Sequence, residues 1–324
     1  MEMIRKLLAR IGINKTEPPT YNDLPNEIKM DIINMLGSKG RSKMSQVSKL
    51  CAAQCKESSF YLQNLEFSSS EIKPKIEVGH AANRTDYILT FGENEIVCLS
   101  RNEEKVLWRE TLEKSEGNAN LNCCRHFEKM LEEHQKSIRS IVINPYSARY
   151  LKFDVASFPR LENLQITLKF GIDYYQIFGK LVRPLKTLEV LQGFDSSDSD
   201  SDILEYDQIY QVQDKVSLDN LHLKNEHLIR FTAKHLEITI GDLTEENVAN
   251  WLRTYQNGTM QHTIIHYTFS VRDSDFDCHK LWRLLGSNEQ NLEKLLAIRR
   301  NDNRRKFLYL KFTHRCLVVT NPML

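Results

Sequence analysis

Leu161-Glu-Asn-Leu164-Gln-Ile166 is followed 24 residues later by Leu185-Lys-Thr-Leu188-Glu-Val190, and the two hexapeptides share the frame Leu-x-x-Leu-x-Ile, broadly read. The same frame stands at Ile138-x-x-Ile141-x-Ile143, 23 residues before Leu161, and at Leu218-x-x-Leu221-x-Leu223, 33 residues after Leu185. Apolar residues in alternation at its fourth and sixth positions predict a short strand that buries one face. Helical stretches lie between the frames. Tyr174, Ile177, Phe178 and Leu181 make one helical face, stopped by Pro184, and Ile203, Tyr206, Ile209 and Tyr210 make another. The long third interval holds Ser196-Ser-Asp-Ser-Asp-Ser-Asp202, an acidic serine run that reads as an inserted surface loop.

A strand-helix unit cannot bury its apolar side alone, and stacked neighbours supply the cover. The first two intervals fall within the roughly 20–29 residues of leucine-rich repeats, without the asparagine ladder of the regular form. The alternative, an ordinary α/β domain in which the frame recurs by chance, stays open at this level.

Outward from the frames the alternation continues. Downstream, His235–Ile240 predicts a strand, and Thr244 caps a helix that carries Glu245 and Glu246 in its first turn and Val248, Trp251, Leu252 and Tyr255 on one face. Asn257-Gly258 ends it. Thr263–Val271 predicts a strand, Leu281–Leu285 and Leu292–Leu296 predict helices, and Phe307–Phe312 and Cys316–Thr320 predict closing strands. Upstream, Tyr87–Phe91, the turn at Gly92–Asn94 and Glu95–Leu99 read as a β-hairpin, with Lys105–Trp108 as a third strand and Leu121–Lys136 as a helix.

The N-terminal region has a different pattern. In Tyr21–Leu36, Pro25 suits a first helical turn, and Glu27 and Asp31 follow where acidic groups complement the helix dipole. Ile28, Ile32 and Leu36 recur at i, i+4 and i+8, and Ile33 and Met35 widen that stripe. Gly37 and Gly40 break the helix. A second helix is predicted from about Ser42, with Met44, Val47, Cys51 and Gln54 or Cys55 along a face; Phe60, Leu62, Leu65 and Phe67 extend the apolar supply. So small a helical unit buries too little surface to be stable by itself, and its broad apolar stripe calls for a cover. That cover is either the rest of the chain or a partner.

Leu24-Pro25-x-Glu27-Ile28, Ile32-Ile33-x-x-Leu36, Arg41 and Val47-Ser48-Lys49 together resemble the F-box, in particular that of the nematode F-box A family. Gly40-Arg41-Ser42-Lys43-Met44 lacks the leucine that such motifs often carry after the arginine. The order of elements over Leu161–Val190 and His235–Val271 resembles the FTH domain that follows the F-box in that family. The resemblance implies binding to the Skp-type adaptor of a cullin–RING (SCF-type) ubiquitin ligase. Leu24, Pro25, Ile28, Ile32, Ile33, Leu36 and Val47 would be its adaptor-facing apolar set, and Ser48 and Lys49 match its second block. The FTH-like part would recruit a protein target, with no catalytic residues ascribed to it.

The fold expected is therefore α+β / α/β: a small N-terminal helical F-box followed by an irregular leucine-rich-repeat-like strand-helix domain. Residues 1–19 form an extension, 20–67 the F-box-like unit, 68–120 a β-hairpin connection and 121–324 the target-binding domain.

Charge and composition narrow the function classes. Lys+Arg 44 against Asp+Glu 43 gives a formal charge of +1. This withholds the basic excess on which nucleic-acid affinity rests. The alternative function, a nucleic-acid-associated protein with an N-terminal helix-turn-helix, would depend on Lys43, Gln46, Lys49 and the cluster Arg299-Arg300 and Arg304-Arg305-Lys306. No run of eighteen apolar residues exists, so no membrane span is expected. Met1–Lys15 reads as a surface helix ahead of a targeting presequence. Seven cysteines without framework spacing fit free thiols in the cytoplasm or nucleus.

Gly-rich phosphate loops, a Gly-x-Ser-x-Gly elbow and His-Glu-x-x-His are absent from the sequence. Cys123-Cys124-x-His126 has no second ligand arm and reads as buried thiols. His262 and His266 share a strand face and read as satisfied or exposed histidines ahead of a ligand pair. The expectation is a non-catalytic adaptor with no cofactor and no metal.

Overall fold

The computed structural model describes residues 21–321 except 22–23, 36–42, 45, 58–61, 70–73, 80–86, 93–94, 103–104, 115–117, 146–150, 169–173, 193–202, 220–222, 224, 241–243, 259–265, 272–276, 287–295, 300, 302–306 and 314–315. The chain divides into two compact units, Met1–Tyr61 and Leu62–Leu324.

The first unit holds helices α1 (Asn26–Met35) and α2 (Lys49–Glu57). The Lys29 N–H donates to the Pro25 carbonyl at 3.0 Å, so Pro25 sits at the helix start, where its missing N–H costs nothing. Lys29 is buried, its ammonium 5.8 Å from the Tyr21 ring centroid, and the Tyr21 hydroxyl donates to Gln54 Oε1 of α2 at 3.0 Å. The second helix predicted from Ser42 is interrupted at Ser48. Lys43, Met44, Gln46 and Val47 are helical, and a new helix then starts at Lys49. Ser48 causes the restart: its Oγ accepts the Cys51 N–H at 3.1 Å and its carbonyl accepts the Ala52 N–H at 2.9 Å, which makes it an N-cap. Leu36, Gly37, Gly40 and Arg41 lie outside the described residues.

The second unit is mixed α/β. Its strands are β1 (Asn64–Ser69), β2 (Lys75–Gly79), β3 (Tyr87–Phe91), β4 (Glu95–Asn102), β5 (Lys105–Lys114), β6 (Ser140–Pro145), β7 (Asn163–Leu168), β8 (Thr187–Gln192), β9 (Lys215–Asp219), β10 (His235–Ile240), β11 (His266–Val271), β12 (Leu296–Arg299), β13 (Phe307–Thr313) and β14 (Cys316–Thr320). Helices α3 (Ala119–His134), α4 (Tyr175–Phe178), α5 (Asp207–Tyr210), α6 (Asn225–Leu228), α7 (Glu245–Gln256) and α8 (Cys278–Leu284) lie between them. The fourteen described strands form one sheet in the order 12-13-14-11-10-9-8-7-6-1-2-3-4-5. Strands β1 and β6–β11 are mutually parallel. Strands β2–β5 extend the β1 side antiparallel, and β14, β13 and β12 extend the β11 side antiparallel.

Register explains the hexapeptide frame. Leu65, Ile141, Leu164, Leu188, Val216, Leu236 and Tyr267 form one buried column across the parallel strands. Phe67, Ile143, Ile166, Val190, Leu218, Ile238 and Phe269 form the second. The fourth frame was expected at Leu218–Leu223 and is displaced. Leu218 fills the sixth position, and the unit runs Gln213-Asp-Lys-Val216-Ser-Leu218. Exposed Gln213 stands where other units have an apolar residue, and its neighbour Val212 is buried instead. Two further frames, Leu62-x-x-Leu65-x-Phe67 and Ala233-x-x-Leu236-x-Ile238, complete the series. Leu65 and Phe67, read with the helical segment, are thus strand residues of the sheet unit.

Backbone hydrogen bonds repeat with the frame. The carbonyls of Gln63, Arg139, Glu162 and Lys186, all at the second position, each accept two N–H groups from the next unit at 2.7–3.1 Å. The charged side chains at that position alternate in sign along Arg139, Glu162, Lys186, Asp214 and Lys234. Glu162 pairs with Arg139 (3.8 Å) and Lys186 (2.9 Å), and Asp214 pairs with Lys234 (2.7 Å). Exposed pairs contribute only about 0–1 kcal/mol each.

Helices cover the apolar columns. Phe127 of α3 lies 5.0 Å from Phe67, and Trp251 of α7 lies 5.6 Å from Tyr267 and 5.5 Å from Phe269. Asn118 caps α3 by accepting from Asn120 and Leu121, so this helix starts two residues before the apolar pattern does. Thr244 caps α7 through the Asn247 N–H at 3.3 Å, and Gly258 (φ 74°) closes it. Buried Glu245 accepts the Asp277 N–H at 2.6 Å and the Lys280 ammonium at 3.2 Å, joining α7 to α8. The helix expected over Leu292–Leu296 is corrected at its end. Leu296 opens β12, where Ala297–Arg299 pair with Tyr309, Leu308 and Phe307 of β13, and 292–295 lie outside the described residues. No described helix is long and apolar enough to cross a membrane.

Candidate functional site

In the helical unit the candidate residues divide by exposure. Leu24 (7% exposed) and Ile33 (0%) are interior, Ile28 and Ile32 are half-buried, and Pro25, Val47, Ser48 and Lys49 are exposed. Ser48 has a structural task as the cap of α2. Val47 is 71% exposed, and Leu50, which sequence reasoning passed over, is 54% exposed. Three residues apart and astride the cap, they are large apolar side chains left in solvent. Ile28, Ile32 and Leu50 differ from Leu24 and Ile33 in being reachable without unfolding.

The second candidate surface is the sheet's open face. On β7 and β8 the buried residues alternate with half-buried Asn163, Gln165, Thr167, Thr187 and Glu189. A shallow depression there is floored by Ser140, Val142, Asn163, Gln165, Thr187 and Glu189. Thr187 Oγ1 donates to Asn163 Oδ1 at 2.8 Å, so the floor is hydrogen-bonded to itself across strands. These residues occupy the third and fifth positions of the frame. The signal that identifies them in sequence is the set of x positions, which a search for apolar periodicity discards.

No family model, no curated protein and no solved structure matches the chain.

Neighbouring β1 and β2 add charge to this face. Glu66 stands opposite Glu77, and Lys75 pairs with Glu77 at 2.5 Å. Burial first, and the Glu77 carboxylate second, hold the Glu66 carboxyl above the usual carboxylate range, against the lowering effect of Lys75. The fold therefore disfavours the ionised form, and stability falls as pH rises from the unfolded value of 4.5 through the raised one. Glu66→Gln is expected to raise the melting temperature at pH 7 and to leave it unchanged near pH 3. Equal melting curves at pH 7 would rule out this cost.

Cys123 and Cys124 are buried on α3. Burial pushes the Cys124 thiol up to about 11 and that of Cys123 higher, so both are protonated at neutral pH. The His126 ring lies 5.6 Å from the Phe91 ring. Cys51 is buried on α2, with Cys55 outside the described side chains. His266 opens β11 beside His235 of β10, its Nε2 2.9 Å from Thr268 Oγ1, while His262 lies outside the described residues. Asp195–Asp202, Arg300 and Arg304–Lys306 also lie outside them.

Proposed function

We propose that the chain is the substrate receptor of a cullin–RING ubiquitin ligase: the helical unit binds a Skp-type adaptor and the sheet unit, a leucine-rich-repeat-like domain, binds a protein target. The observation that carries this reading is the pair Val47 and Leu50, exposed on a small helical unit that bears the F-box-like sequence. Burying one such side chain on association contributes about 1.5–3 kcal/mol, and a partner is what supplies the cover. On this reading the chain performs no chemistry. It raises the local concentration of target lysines near a ligase held by other subunits.

The test uses exposed positions, because changing Leu24 would confound binding with folding. Val47→Asp with Leu50→Asp is expected to leave the circular dichroism spectrum unchanged and to abolish co-purification of a Skp-type adaptor and a cullin with the tagged chain. Adaptor recovery equal to that of the parent chain would reject this use of the surface.

A further inference from the structure

Resting on the receptor reading of the helical unit, we propose that the surface around Val47 and Leu50 takes an acidic partner: the adaptor meets it with an apolar recess rimmed by carboxylates. Lys43 and Lys49 are the groups that face those carboxylates. The unit's charge does not follow that of the chain. The whole sequence carries +1, yet between Asp31 and Glu57 it holds five cations, Lys39, Arg41, Lys43, Lys49 and Lys56, and no carboxylate. Of these five, Lys43 and Lys49 have described side chains, and both are exposed. Neither is held by a carboxylate among the described residues.

The two lysines flank the apolar pair. Lys43 and Val47, both helical and four residues apart, have the spacing of neighbours on a helix surface. Lys49 adjoins Leu50 in the chain. Val47 is 71% and Leu50 54% exposed, so an apolar centre with a cationic rim stands in solvent. An apolar core inside a charged rim is the anatomy of a protein interface, and a rim of one sign selects a partner of the other. Lys49 is also unexplained by the helix it opens. It is the first residue of α2, where a cation opposes the positive end of the helix dipole. The first turn of α2 carries no acidic residue, whereas α1 has Glu27 there and α7 has Glu245 and Glu246. An exposed residue that breaks a local rule without a compensating contact points to a task outside the fold. A partner's carboxylate beside Lys49 removes the conflict.

The test is recovery of a Skp-type adaptor with the tagged full chain, washed at low and at high salt. Lys43→Glu with Lys49→Glu is expected to lower recovery roughly ten-fold or more at low salt. Recovery by the parent should fall toward that level as salt screens the exposed charges. The melting temperature should not fall, because a carboxylate suits the start of α2. Lys43→Arg with Lys49→Arg keeps the charge and should recover as much adaptor as the parent. Lys136→Glu with Lys152→Glu, at two exposed positions of the sheet unit, makes the same change in net charge and should leave recovery unaffected. Undiminished recovery by Lys43→Glu with Lys49→Glu, or an equal loss in the sheet-unit control, would overturn the assignment while the receptor reading stands. No adaptor with the parent chain would reject the receptor reading itself, and the assignment with it. Sedimentation of the chain with phosphatidylserine vesicles, lost in the same lysine variant, would give the surface to an anionic membrane instead.

Discussion

Trp251→Ala is expected to lower the unfolding free energy of the sheet unit by about 3–5 kcal/mol. The side chain is fully buried on α7, stacked on Tyr267 (20° between planes) and edge-on to Phe269. Tyr267 in turn donates its hydroxyl to the Ala233 carbonyl at 2.8 Å, so one indole supports β11 and the start of β10 together. Aromatic contacts of this geometry add about 0.5–1.5 kcal/mol beyond area burial. Trp251→Phe should cost clearly less, and not only for reasons of volume. The indole Nε1 is buried with no hydrogen-bond partner among the described residues, so its removal breaks no bond. Urea denaturation followed by circular dichroism measures both. A loss under about 1 kcal/mol for alanine would mean that the site collapses to fill the void.

Which parts of this fold are legible in sequence follows from what each residue contacts. The columns Ile141–Leu188 and Ile143–Val190 are legible because burial on one face imposes a period of two. The Val216 strand is hidden by one substitution, Gln213 at a position otherwise apolar, and attention passes to Leu218–Leu223. Ala233 hides the next frame by being small. Leu65 and Phe67 are misplaced for another reason. β1 pairs with β6, reached only after the long excursion through β2–α3, and pairing that distant leaves no periodic signal. The restart at Ser48 was present as a capping residue inside an apolar pattern, and the pattern outweighed it. On the open face, Glu189 and Gln165 carry no periodic signature at all, because solvent sets no period.

Phe67→Ala is expected to cost a similar amount, about 3–5 kcal/mol, but to spend it elsewhere in the molecule. Phe67 is fully buried between Ile76 of β2 and Ile143 of β6 in register, with the Phe127 ring 5.0 Å away. β1 alone joins the antiparallel strands β2–β5 to the parallel series that begins at β6. In a fold whose units contact mainly their neighbours, stability is a sum of local terms, and a lesion opens its own region first. Hydrogen exchange should therefore accelerate in β1–β4 of the Phe67→Ala protein while β10 and β11 keep their protection. Trp251→Ala should show the reverse. Five strands separate β1 from β11, so the two losses should add within about 0.5 kcal/mol in the double variant. If each variant instead exposes both ends of the sheet equally, the fourteen strands unfold as a single cooperative body and the local account of their stability fails.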